Sequence, residues 1–114
     1  MSDPVKLLFI CSQNRWRSLT AEELYHGFPG YEARSAGTEP GARIRVSAGL
    51  LGWADRIFVM ERCHADYLRD RFPDALGNKP LVCLRIPDTF PHGHPELIAS
   101  LQSALSGHVA VPGL

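Results

Sequence analysis

The spacing of apolar residues changes period several times along this chain. Residues 5–10 (Val-Lys-Leu-Leu-Phe-Ile) form an apolar run broken only by Lys6. Such a run predicts a strand buried on both faces of a parallel sheet. Residues 11–17 are polar, and Ser18 stands where it can cap a helix. Ala21, Leu24, Tyr25 and Phe28 then recur at helical spacing until Pro29-Gly30. A short second strand is expected over 31–36 and a loop over 37–41. Val46, Leu50, Trp53 and Ala54 mark a second helix, and residues 57–60 a third strand. Ala65, Leu68 and Phe72 line one helical face, with Pro73-Asp74 expected to close it. Residues 81–84 read as a fourth strand and 87–95 as a loop rich in Pro, His and Gly. Leu97, Ile98, Leu101 and Leu105 give a last helix, which His94-Pro95 is placed to start.

Strands that alternate with helices imply βαβ units. The expected fold is therefore α/β: a three-layer sandwich with a four-stranded parallel sheet and helices on both faces. No repeat or linker divides the chain, so residues 1–114 are expected to form one domain. In open α/β sheets, ligands bind beyond the carboxyl ends of the strands. That rule singles out the loops after the first and fourth strands.

The first of these loops reads Cys11-Ser12-Gln13-Asn14-Arg15-Trp16-Arg17-Ser18, a Cys-x5-Arg-Ser pattern between a buried strand and a helix start. Five intervening residues can curl so that their N–H groups point inward. With the positive end of the following helix they form an anion site. Arg17 at the far end can hold two phosphate oxygens, and Cys11 at the near end lies beneath the phosphorus. A positive field favours the thiolate of a cysteine placed there. Ser18 can donate a hydrogen bond to the sulfur, and Asn14 suits a left-handed turn. Cys63 to Arg69 has the same spacing. That second match falls in helical sequence, contains Asp66 and ends in Asp70 rather than Ser, so Cys63 is read as structural.

Composition adds limits. Net charge is zero over 114 residues, and the sequence pI is about 7.0, so no global field favours nucleic acid or an anionic membrane. Ten of the twelve basic residues are Arg, a bias that suits an anionic ligand or simple genome composition equally. Three cysteines, without a paired spacing, form neither a disulfide framework nor a zinc motif. The first apolar run is too short to span a membrane, and a reducing, cytoplasmic setting is expected. His92 and His94, one residue apart, lack further metal ligands, and no metal or cofactor is expected. Arg43 and Arg45 read as a solvated helix start. Trp16 points either out over the cleft or into a neighbouring element. Residues 107–114 carry no readable role.

The stretch Leu7 to Leu24 resembles the strand, phosphate loop and following helix of the low-molecular-weight protein tyrosine phosphatases, in their short variety. Arg34-Ser35-Ala36-Gly37-Thr38 and Ala54 to Glu61 resemble two further segments of that family. The resemblance implies that Cys11 attacks phosphorus and Arg17 clamps the phosphoryl group. Ser12, Gln13, Asn14, Arg15, Trp16 and Ser18 would form the cradle, with Ser35 bonded to it from the second strand. It also implies an Asp acid after the last strand. Asp88 in Ile86-Pro87-Asp88-Thr89-Phe90 has that place, with Phe90 either walling the substrate ring or packing in the core. Trp16 stands where many members have a second Cys, and Leu19 where many have Pro.

The expected function is metal-independent hydrolysis of phosphotyrosine or other aryl phosphate monoesters through a thiophosphate intermediate. The substrate partner is a phosphorylated protein or a small aryl phosphate. The alternatives are a phosphate- or phosphopeptide-binding module, or an arsenate reductase. The latter lacks a close pair of further cysteines after the third strand.

Overall fold

The computed structural model describes residues 3–113; Leu114, part of the terminal stretch noted above, lies outside them. Four strands form one parallel sheet: β1 (Val5–Cys11), β2 (Tyr31–Gly37), β3 (Arg56–Val59) and β4 (Leu81–Cys83). Their order is β2-β1-β3-β4. Phe9 lies opposite Ser35 on one side and Phe58 on the other. The chain leaves β1 first towards β2 and later returns beyond β1 to β3. The order therefore reverses between β1 and β3, and a crevice opens at their carboxyl ends.

Helices cover both faces, as the alternation predicts. On one side, α1 (Arg17–Leu24) and α5 (Pro95–Leu105) pack over Leu7, Phe9 and Phe58. Phe9 stacks between Tyr25 and Phe58 at centroid distances of 5.8 and 5.6 Å. On the other side lie α2 (Ala48–Trp53), α3 (Arg62–Arg71) and α4 (Pro73–Leu76), over Leu8, Ile10, Ile57 and Val59. Each fully buried aliphatic or aromatic side chain contributes about 2 kcal/mol to the folded state. Residues of β1 alternate between the two cores, which explains why the run had to be apolar at both parities.

Three local expectations are corrected. Ser18 does not cap α1: the helix begins at Arg17 with Trp16 before it, and Ser18 is buried inside. Its hydroxyl is used by the sulfur instead. Tyr25 and Phe28 lie beyond the helix end but still pack into the same core. Pro73 does not simply end α3. It is the first residue of α4, where its missing N–H is harmless. The last helix starts as expected, with His94 Nδ1 accepting the Glu96 N–H at 3.1 Å.

Residues 107–113 acquire a role. Val109 and Val111 pack into the α1/α5 core. Tyr25 donates to the Ala110 carbonyl at 3.0 Å, and the Ala110 N–H donates to Tyr31 Oη at 3.1 Å. Burial, then the neighbouring Tyr31, raises the Tyr25 hydroxyl far above its ordinary range, so it remains a donor. Among the described residues, no helix is long and apolar enough to cross a membrane.

Candidate active site

Cys11 ends β1 and is only 3% exposed. The chain then turns through residues 12–16 before α1 begins. Asn14 makes the turn possible with φ of 58°, a conformation that Asn adopts more readily than most residues. Its N–H donates to Cys11 Sγ at 3.2 Å, and its Nδ2 donates to Ser18 Oγ at 2.7 Å. Ser18 Oγ in turn lies 2.9 Å from Cys11 Sγ. That hydroxyl also lies 3.4 Å from the Ala36 carbonyl, but a cysteine thiolate has no proton to give, so with Cys11 ionised the shorter contact takes the Ser18 proton to the sulfur. Cys11 thus receives two converging donors from its own loop. The N–H groups of Gln13, Arg15 and Trp16 find no acceptor among the described residues. These free amides precede the N-terminus of α1, the arrangement expected of an anion site.

The loop is braced from β2 and the segment after it. Thr38 N–H bonds the Cys11 carbonyl at 3.0 Å and Glu39 N–H the Ser12 carbonyl at 3.0 Å. Arg43 N–H bonds the Gln13 carbonyl at 2.9 Å, while Arg43 Nε reaches the Asn14 carbonyl at 3.1 Å. Arg43 is exposed, as a solvated residue should be, but it precedes α2 rather than starting it and it has bonding partners on the loop. It satisfies carbonyls on the outside of the loop, which leaves the amides facing inward. Gly37 lies under the loop: a Cβ there would meet Ser12 O at 2.5 Å and Ala42 Cβ at 2.7 Å. Ser35 does not bond the loop. In the β1/β2 register it faces α1, and its hydroxyl donates to Glu22 at 2.7 Å.

Arg17, the first residue of α1, is buried. Its Nη1 donates to the Ile86 carbonyl at 2.9 Å and to the Glu61 carboxylate, while Nε lies 3.6 Å from Asp88 Oδ1. Nη2 is uncommitted among the described residues. Glu61 follows β3 directly and was not singled out from the sequence; its position at a strand's carboxyl end was the available signal. His64 was also missed as a site residue. It is buried, and its Nδ1 accepts the Glu61 N–H at 3.0 Å. The ring proton therefore resides on Nε2, which donates to Ser12 Oγ at 2.9 Å. That leaves the Ser12 hydroxyl proton to face the cleft. Burial, reinforced by the Arg17 charge, pushes His64 down to about 4 against the opposing pull of Glu61, Asp88 and Glu39.

A cleft of about 320 Å³ is lined by Cys11, Ser12, Gln13, Arg15, Trp16, Arg17, Glu39 and Asp88. Trp16 takes the outward alternative, 44% exposed at the rim. Asp88 faces Arg17 from the loop after β4, which brings the two sequence-selected loops together. Phe90 does not reach the cleft. It stacks on His94 at 4.5 Å and packs against the α1/α5 core. Cys63 lies on α3 as expected but is exposed rather than built into the core. Desolvation and the neighbouring Glu61 carboxylate push its thiol up, which makes it a poor nucleophile. His92 pairs with Glu23 at the surface. No group of three or more His, Cys, Asp or Glu side chains is arranged to hold a metal among the described residues.

Solved structures share this fold. The tyrosine phosphatase Wzb from Escherichia coli K30, in complex with phosphate, aligns over 92% of this chain and 96% of its own at 20% identity, with a TM-score of 0.74. The low-molecular-weight protein tyrosine phosphatase SP-PTP from Streptococcus pyogenes aligns over 93% and 94% at 15% identity, with a TM-score of 0.72. The chain has the fold of these phosphatases. The arginine phosphatase YwlE from Geobacillus stearothermophilus also shares it, at 22% identity over 94% of this chain and 99% of its own, with a TM-score of 0.66. No family model and no curated protein sequence matches the chain.

Proposed function

We propose that the protein is a metal-independent cysteine phosphatase that hydrolyses phosphotyrosine or other aryl phosphate monoesters, the chain acting as one domain. The observation that carries this reading is the convergence on Cys11 Sγ of the Asn14 N–H and the Ser18 hydroxyl. Donors aimed at sulfur favour its anion and later its departure from phosphorus. A purely structural cysteine has no need of them.

In the proposed reaction the loop amides and Arg17 hold the three non-bridging oxygens of the phosphoryl group. Cys11 thiolate forms an S–P bond as the ester P–O bond breaks, and Asp88 supplies the proton that the leaving oxygen takes. Asp88 then accepts a proton from water as the water oxygen attacks phosphorus. The S–P bond breaks and inorganic phosphate and the thiolate are regenerated. Ser12 adds a hydroxyl donor at the rim, aligned by His64. Trp16 offers an aromatic face to an aryl ester.

The test is hydrolysis of para-nitrophenyl phosphate by wild type and Cys11→Ser, with chelator present and orthovanadate as inhibitor. Activity that survives chelator, falls with vanadate and is lost in the variant supports the reading. An inactive, reduced and folded wild type overturns it in favour of a phosphate-binding module.

A further inference from the structure

A second and larger concavity, about 820 Å³, adjoins the cleft. Asp88 lines both, so the two meet at that residue. The second concavity runs between α3 and the edge strand β4. Its floor includes Ala65, Leu81, Ile86 and Pro87, and its walls carry Arg62, Arg69 and Arg85. Arg62 and Arg69 face the same groove because they stand seven residues apart on α3, two helical turns.

The charges do not cancel locally. The two carboxylates in the groove, Glu61 and Asp88, are both turned onto Arg17. Arg69 has Asp66 at 3.9 Å on its own helix. Arg62 and Arg85 have no ion-pair partner among the described residues. Arg85 is also one of two non-glycine residues with positive φ among the described residues, at 58°. A left-handed backbone at a long side chain carries a cost that the fold bears here on the wall of the groove.

The floor of the groove has a free backbone edge. Pro80 O accepts from Ile57 and Leu84 N–H donates to Val59 O, so these alternate positions turn towards β3. The intervening residues, Leu81 and Cys83, turn their N–H and C=O groups outward, where β4 has no further strand. An extended peptide can bond to such an edge and place alternate side chains in the groove.

Resting on the phosphatase reading, we infer that this groove receives the chain that flanks the phosphorylated residue, and that it selects flanks rich in Asp and Glu. The arginines match carboxylates, the edge of β4 matches extended backbone, and Asp88 sets the groove next to the loop that would hold the phosphoryl group. The substrate class is thus an acidic phosphopeptide segment of a protein, not a small ester alone.

The test compares two phosphotyrosine peptides, one flanked by Asp and Glu and one with Asn and Gln in their place. Binding is measured on Cys11→Ser, where turnover is not required, and kcat/KM on wild type. The double variant R62Q/R85N is measured beside both, Asn being chosen at 85 because it tolerates the left-handed backbone. The acidic peptide should bind about tenfold more tightly than its neutral counterpart at low salt, with the gap closing as salt rises. R62Q/R85N should remove most of the gap while para-nitrophenyl phosphate turnover stays at the wild-type level. Equal binding of the two peptides to Cys11→Ser overturns the inference, as does a gap that persists in R62Q/R85N. A binding gap in a protein that hydrolyses nothing upholds the groove and removes the phosphatase reading. A small aryl phosphate carrying extra carboxylates that gains as much as the peptide would also overturn the peptide assignment.

Discussion

His64 makes the sharpest prediction about stability. It is buried beneath the phosphate loop as a neutral ring and pushed down to about 4, whereas an unfolded chain holds it near 6.5. Between those values the unfolded chain binds a proton that the folded chain refuses. Stability is therefore unaffected above about pH 7 and falls as pH drops through the window, by about 2 kcal/mol at about pH 5. His64→Gln removes the titration and keeps a side chain able to accept the Glu61 N–H at the start of α3. Urea unfolding at the two pH values, followed by the fluorescence of Trp16 and Trp53, measures the effect. The other four histidines and every carboxylate are common to both proteins and cancel in the difference. The loss of the bond to Ser12 lowers the variant at both pH values, by about 1 kcal/mol, and cancels too. Wild type should lose about 2 kcal/mol more than His64→Gln on acidification. Parallel losses would mean that the ring is charged, or hydrated, in the folded protein.

Three further outcomes follow from contacts around the loop. Gly37→Ala forces a methyl onto the Ser12 carbonyl and Ala42, so thermal unfolding should show a loss of about 2 kcal/mol and vanadate inhibition should weaken as the loop is displaced. Arg43→Ala frees the Asn14 carbonyl, and kcat/KM for para-nitrophenyl phosphate should fall about tenfold through a loop held less rigidly; an unchanged value would mean that the Arg43 side chain does not brace the loop. Asp88→Asn should lower kcat/KM, which reports formation of the S–P bond and not its hydrolysis, about a hundredfold for alkyl phosphates and far less for para-nitrophenyl phosphate, because nitrophenolate leaves without a proton. Equal losses on both substrates would assign the proton to another group.

What was legible in the sequence was what local order determines. A strand, a five-residue turn and a helix start are contiguous, so Cys11, Asn14, Arg17 and Ser18 could be placed together before the sheet order was known. The loop of Asp88 followed from one topological rule, and the choice of Asp88 within it from the family resemblance. The misplaced residues depended on register or on tertiary neighbours. Ser35 and Phe90 were one side-chain direction away from their assigned partners, and only the pairing of β1 with β2 and the path of the loop after β4 fix those directions. Glu61, His64 and Arg43 are distant from Cys11 in sequence and reach it because β3 adjoins β1 and the segment after β2 folds back over the loop. Ser18 illustrates ambiguity of a different kind: a hydroxyl at a helix start serves as a cap or as a donor to something else, and the buried sulfur decides it. Pro73 was equally ambiguous, since the same ring ends one helix and begins another.

The Arg17 guanidinium already has its counter-ions before any ligand arrives. Glu61 and Asp88 occupy it as resident anions, so a phosphoryl group enters by exchange rather than by filling an unmatched charge. A weakly charged anion gains little from that trade, whereas a dianion that also takes the loop amides gains enough to displace a carboxylate. The more exposed and more distant of the two is Asp88, at 3.6 Å. Under the proposed reaction it is therefore the one released, and it becomes free beside the leaving oxygen in the same event that seats the phosphorus. Under that reaction Asp88 is a carboxylate held by Arg17 while the site is empty, and it is able to take up the proton it later gives once the substrate has displaced it.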